Sequence, residues 1–239
     1  MITVACVCDT HGAVPPPLDQ SSKGQVAAWL HAGDIYDRGD RSRQKAPTTK
    51  ALEVRDWIKG KKVPVFSVAG NHDCNENASI FAVSHNATGD CLRVPDSRIW
   101  VAGIGWSGER FYDLPRERDV AEVCVKTMNE IVRRSQAGDK FIVLTHYMPW
   151  FPRAFSFSGN REGWAFDCIA ELVREVKPLA VVFGHIHELF GRQVPYAEHA
   201  LTDKGDLNTL KTLLVCPGPK GGHLHIDIDA GQAFFDPAP

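Results

Sequence analysis

Val63-Pro64-Val65-Phe66-Ser67-Val68-Ala69-Gly70-Asn71-His72-Asp73 is the stretch from which the rest of the chain can be read: an apolar run stops at a glycine and a polar cluster follows. A run this short, rich in Val and Phe, suits a strand covered on both faces. The run that ends in a polar cluster recurs four times, twice with a glycine at the stop. Thr3–Cys8 ends in Asp9-Thr10-His11-Gly12, and Val26–Ala32 ends in Gly33-Asp34-Ile35-Tyr36-Asp37-Arg38-Gly39. Phe141–Leu144 ends in Thr145-His146, and Leu179–Phe183 ends in Gly184-His185-Ile186-His187.

Helical patterns lie between some of these runs. Thr48–Lys59 follows Pro47, begins on a capping-type Thr and stops at Gly60. Arg116–Arg134 and Trp164–Val176 carry apolar residues at three- and four-residue spacing, such as Ile169, Leu172, Val173 and Val176. Strands alternating with helices predict an α/β sheet, whose ligands bind beyond the carboxyl ends of the strands. All five polar clusters sit at such ends, so they are expected on one edge. Further along, Arg98–Ile104 and Leu224–Ile228 alternate, and Asp229-Ala230-Gly231-Gln232 reads as a turn into Ala233–Phe235. A mixed second sheet packed on the first is expected to account for this.

The 239 residues are read as a single domain, 1–239, with 44% hydrophobic residues, enough for a real core. A formal net charge of -2 and a pI near 6.5 give no basic excess, so a nucleic-acid partner is not favoured. Seven cysteines without a CxxC pair suit reduced thiols, and a cytoplasmic location is expected. Met1 leads straight into an apolar segment with no charged region before it, so no signal peptide is expected. No apolar run approaches the roughly 20 residues of a membrane span, and no membrane partner is expected.

The clusters together supply Asp9, His11, Asp34, Asn71, His146, His185 and His187. Carboxylates, an amide oxygen and imidazoles suit borderline divalent metals such as Mn, Fe, Zn, Co or Ni, and fit calcium poorly because it takes oxygen only. Seven ligands overfill one tetrahedral site. With a shared carboxylate they fill two, and the expected cofactor is a pair of divalent transition metal ions, manganese first. Two such ions against two carboxylates and a hydroxide leave roughly one positive charge to attract a phosphate. One histidine after one strand is ordinarily a satisfied hydrogen-bonding residue. Five such clusters in this order are not explained that way.

The blocks DTHG, GDIYD, GNHD, Thr-His before a Pro, and GHIH resemble the signature blocks of calcineurin-like metallophosphoesterases, from Asp9 to His187. The resemblance implies a four-layer α/β/β/α sandwich of two mixed sheets between helices. It implies that Asp9, His11, Asp34 and His187 hold one metal, and that Asp34, Asn71, His146 and His185 hold the other, with Asp34 bridging. His72 matches the histidine that protonates or stabilises the leaving group. Asp37-Arg38-Gly39 resembles the second block of the phosphoprotein phosphatases, where the Asp supports the histidine and the Arg holds phosphate. Cys8, however, stands where those enzymes have Gly. GHIH points to cyclic-nucleotide-type phosphodiesterases and double-strand-break nucleases. The expected activity is hydrolysis of small phosphodiesters or phosphomonoesters by a two-metal-activated hydroxide, ahead of a phosphoprotein phosphatase or a nuclease. A binding scaffold that kept the fold would be expected to lack a ligand or the histidine, and neither is missing.

Other residues carry weaker expectations. Cys74 reads as a spectator thiol, His223 and His225 as a surface face, and His31 as structural, pointing away from Asp34. Arg41, Arg43 and Lys45 read first as a solvated loop, with guidance of an anionic substrate as the alternative. The aromatic segment 147–164 suits either a substrate wall or a loop packed over the sheet edge.

Overall fold

Strand β1 (Ile2–Val7) shows how the layers are built. Val4 and Cys6 face the larger apolar core, while Ala5 and Val7 face a second one with Trp29, Val54, Ile58 and Val65. A strand apolar on both faces needs a cover on each side. The structure, a computed structural model, describes residues 1–35, 49–73, 83–106, 114–150, 165–195 and 211–239.

One sheet joins β1 to β4 (Ala28–His31), β5 (Val65–Ser67) and β6 (His85–Asn86) in parallel. On the other side of β1 it continues antiparallel through β15 (Gly222–Asp227) to β16 (Gln232–Pro237). The second sheet runs β13 (Arg192–Pro195), β14 (Leu213–Cys216), β12 (Ala180–Val182), β9 (Lys140–Thr145), β8 (Ile99–Ile104), β7 (Cys91–Arg93). Its outer strands are antiparallel and its inner ones parallel, so both sheets are mixed. A small hairpin, β2 (Gln20–Ser21) with β3 (Gly24–Gln25), precedes β4.

Helix α1 (Thr49–Lys59) covers the first sheet through Val54 and Ile58. Helices α2 (Glu117–Arg134) and α3 (Asp167–Val176) pack on one another, and α2 lies on β7 and β8 of the second sheet. The order helix, sheet, sheet, helices is the expected four-layer α/β/β/α sandwich. In α2 the Asp119 carboxylate accepts from the backbone N–H of Arg116 at 3.0 Å, and Arg133 and Arg134 occupy the last turn. Both ends therefore match the helix dipole.

Three expectations are corrected. The helix expected over Trp164–Val176 begins at Asp167, because Ala165–Phe166 (β11) is extended against Met148–Pro149 (β10) and the Phe166 carbonyl accepts from the N–H of Trp150 at 3.0 Å; Trp164 lies outside the described residues. The hairpin 222–237 belongs to the first sheet, since Leu224 and Ile226 complete the core beside Val4. His225 is buried: its ring stacks on Phe234 at 4.7 Å and Nδ1 meets Thr3 Oγ1 at 2.9 Å. His223 is half-buried and donates Nε2–H to the Leu18 carbonyl at 3.1 Å. The segment between β1 and β4 reaches this face, with Lys23 3.5 Å above the Phe234 ring.

Candidate metal centre

The five clusters follow β1, β4, β5, β9 and β12, whose parallel directions bring all five ends to one edge of the sandwich. Loops cross there by backbone hydrogen bonds. The Asp9 N–H donates to Gly33 O at 3.0 Å, His11 to Asp34 O at 3.0 Å, and Gly184 to His146 O at 3.2 Å. Among the described residues, six non-glycine residues have positive φ, and four of them are Asp9 (51°), His11 (46°), Asp34 (52°) and His185 (69°). Each left-handed residue costs of order 1 kcal/mol, and such strain gathers where function fixes the backbone.

The side chains converge as their spacing suggested. Asp9, His11 and His187 bring donor atoms within 4.8 Å of one another, as do His11, Asp34 and His72, and Asp34, His146 and His185. Asn71 joins the last set, its Oδ1 3.1 Å from His146 Nε2. His185 Nδ1 lies 3.2 Å and Asp34 Oδ1 3.5 Å from the same nitrogen. His146 Nδ1 lies 2.9 Å from the carbonyl of Ala32, so it carries the proton and donates it there. The other ring nitrogen, Nε2, then points toward three electron-rich atoms. A shared cation reconciles such a set.

The pKa shifts favour the forms that bind metal. Burial pushes His185 down to about 3, helped by His146, which keeps it a neutral imidazole. Burial opposes the charge on Asp9, yet the contact with His187 and the field of His146 outweigh it and hold the carboxyl well below the usual range. Three glycines leave the room needed. A Cβ on Gly33 would sit 2.7 Å from His146 Nδ1, and one on Gly184 2.6 Å from Asp9 Oδ2. One on Gly70 would meet the Asp34 carboxylate and lie 2.8 Å from His146 Cδ2. Donor chemistry, the neutral imidazole of His185 and this cradle all fit divalent metal.

His72 lies inside the cluster: its Nε2 is 3.6 Å from Asp34 Oδ2, its backbone N–H donates to Asp34 Oδ1 at 2.9 Å, and its ring is 4.7 Å from that of His11. Asp37, Arg38, Arg41, Arg43, Lys45, Cys74 and residues 151–164 lie outside the described residues. His31 is buried, bonded to Thr10 Oγ1 at 3.0 Å and pushed down to about 3 by burial, in keeping with a structural role.

Sequence reading passed over Asp73. It is buried, and its carboxylate accepts from Ile35 N–H and Gly70 N–H, both at 2.9 Å, tying the loop after β4 to the loop after β5. Burial, then the charge of Asp34, raise it to about 7. An Asp directly after the expected ligand Asn71 and the expected proton donor His72 in GNHD was the available signal. Tyr147, the first residue of the aromatic segment 147–164, is packed rather than open: its buried ring sits edge-on to His146 at 5.0 Å, with His185 at 5.5 Å.

Residues 2–189 match the family model described as calcineurin-like phosphoesterase. The chain belongs to the calcineurin-like phosphoesterases. Membership makes it a hydrolase of phosphoesters that depends on divalent metal. No curated protein matches the chain. Among solved structures it is similar to TT1561 of Thermus thermophilus, at 17% identity and a TM-score of 0.58, over 99% of this chain and 98% of that one. It is also similar to the phosphopantetheinyl hydrolase PptH of Mycobacterium tuberculosis, at 12% identity and a TM-score of 0.53, over 90% of each chain. At these identities the likeness is one of fold. No helix among the described residues is long and apolar enough to cross a membrane.

Proposed function

We propose that this calcineurin-like phosphoesterase is a binuclear hydrolase of small phosphodiesters or phosphomonoesters. Asp9, His11, Asp34 and His187 would hold one ion and Asp34, Asn71, His146 and His185 the other, with Asp34 common to both sets. The observation that carries this reading is the gathering of Asn71 Oδ1, His185 Nδ1 and Asp34 Oδ1 within 3.1 to 3.5 Å of His146 Nε2. Bound divalent ions, manganese first, would supply Lewis acidity toward a phosphoryl oxygen and lower the pKa of water. The protein's own part is to fix these donors by strained loops and the glycine cradle, and to move a proton. His72, beside Asp34 and His11, gives that proton to the leaving oxygen. Asp37 orients the His72 ring and Arg38 clamps two phosphate oxygens.

Pairing of β1 with β15, from opposite ends of the chain, supports reading 1–239 as one domain. The cysteine pattern supports a cytoplasmic location. The test is hydrolysis of a mono- and a bis-aryl phosphate across a panel of metals, with elemental analysis alongside. Chelator-stripped protein is expected to regain activity with manganese, and with cobalt or nickel. Full activity after complete chelation, or tight metal with no turnover on either ester, would overturn the reading.

A further inference from the structure

Two cavities, of about 510 and 320 Å³, open at the amino ends of β4 and β5, the edge opposite the metal centre, and they share Lys61, Lys62 and Val63. The larger falls within the size range of small-molecule sites. Its apolar walls come from Ile58, Val63, Pro64, Phe66 and Leu92, and its polar lining is Lys59, Lys61, Lys62, His85 and Arg93. Among the described residues no carboxylate lines it, although the chain as a whole carries more acidic than basic residues.

These cations do not share one structural purpose. Lys61 is already committed: it pairs with Asp19 at 2.9 Å and lies 4.3 Å above Trp29 and 4.7 Å above Trp57. Lys59 suits the negative end of α1, a task one lysine fulfils. Lys62 and Arg93 lack that reason, and Arg93 arrives from the other sheet. Arg93 gives its Nε–H to Ser97 O at 2.7 Å, and neither it nor Lys59 nor Lys62 pairs with a carboxylate among the described residues. Lys62 and Arg93, with Lys59 at the helix end beside them, thus bring three charges without a carboxylate partner among the described residues to an apolar floor. Low-dielectric walls focus such a field on whatever occupies the groove.

We propose that this groove is a second binding site, separate from the metal centre, for an amphipathic organic anion. The apolar body lies against Val63, Pro64 and Leu92, and the anionic head, phosphate or carboxylate, lies among Lys59, Lys62 and Arg93. The assay is fluorescence titration of the full chain with 1-anilinonaphthalene-8-sulfonate, an aryl anion of this shape. One saturable site is expected, weakening with salt. Lys59→Glu/Lys62→Glu/Arg93→Glu is expected to weaken it about tenfold or more, with Lys→Gln/Arg→Gln changes at the same positions in between. All three side chains are exposed and far from the metal centre, so the protein stays folded, with a small loss from the helix end and the Ser97 bond, and aryl-phosphate hydrolysis stays at wild-type level. Competition by dodecyl phosphate and by dodecanoate tells which head group is preferred. Non-saturating binding, binding unaltered by the charge reversals, or equal displacement by neutral dodecanol would each overturn the site.

Discussion

Gly70→Ala tests the metal centre with a single methyl. Gly70 does not have a positive φ, so alanine meets no backbone penalty there, and the whole effect is steric. The new Cβ would lie 2.8 Å from both the Asp34 backbone nitrogen and His146 Cδ2, and would press on the Asp34 carboxylate itself. Neither Asp34 nor His146 can step back easily. Asp34 sits in the left-handed region and holds the N–H of His72, and His146 is anchored to Ala32 O. Overpacking of this kind costs about 1–3 kcal/mol, or a fall of roughly 2–12 °C in Tm at this chain length. The larger effect is expected in metal content, since the carboxylate assigned to both ions is the group displaced. Elemental analysis after dialysis should show at least one ion lost, with kcat on an aryl phosphate down about 10²-fold, near the upper end of the loss seen when a supporting contact of a metal ligand is removed. Gly60→Ala is the control: its Cβ would meet only ordinary contacts at 3.4 and 3.5 Å, so metal and kcat should not change. A Gly70→Ala protein with wild-type metal content and kcat would refute the cradle and the shared role of Asp34.

Asp34→Ala should remove both ions and essentially all turnover; a variant that keeps two tightly bound ions sinks the assignment. Asp73→Asn keeps one acceptor but turns an amide N–H toward a backbone N–H, at a cost of about 1–3 kcal/mol by denaturant unfolding. Its kcat should fall as well, and unaltered stability would show that Asp73 does not tie the two loops. His72→Ala should cost about 10²-fold with poor alkoxide leaving groups and much less with a nitrophenolate, read from kcat on paired substrates. Equal losses on both would assign His72 another task.

Much of the site was legible because metal chemistry limits residue type. Asp9, His11, Asp34, Asn71, His146, His185 and His187 could be picked out by what their atoms bind, and each closes a strand-like run. Asp73 escaped because a carboxylate that holds backbone N–H groups looks, in sequence, like any acid in a loop. His225 was misplaced for a related reason: alternation says that a face exists, but not that Phe234 and the segment carrying Lys23 lie over it.

What the sequence determined by itself was local: the apolar runs, the glycines that end three of them, and the donor atoms that follow. Where the strands pair was decided only in three dimensions. The hairpin 222–237 carries an alternation that either sheet could accept, and it joined β1 because Leu224 and Ile226 fill the core beside Val4. The meeting of Asn71, Asp34 and His185 around one nitrogen of His146 likewise depends on five parallel strand ends reaching one edge. Local periodicity cannot encode that distance, because packing and sheet register set it.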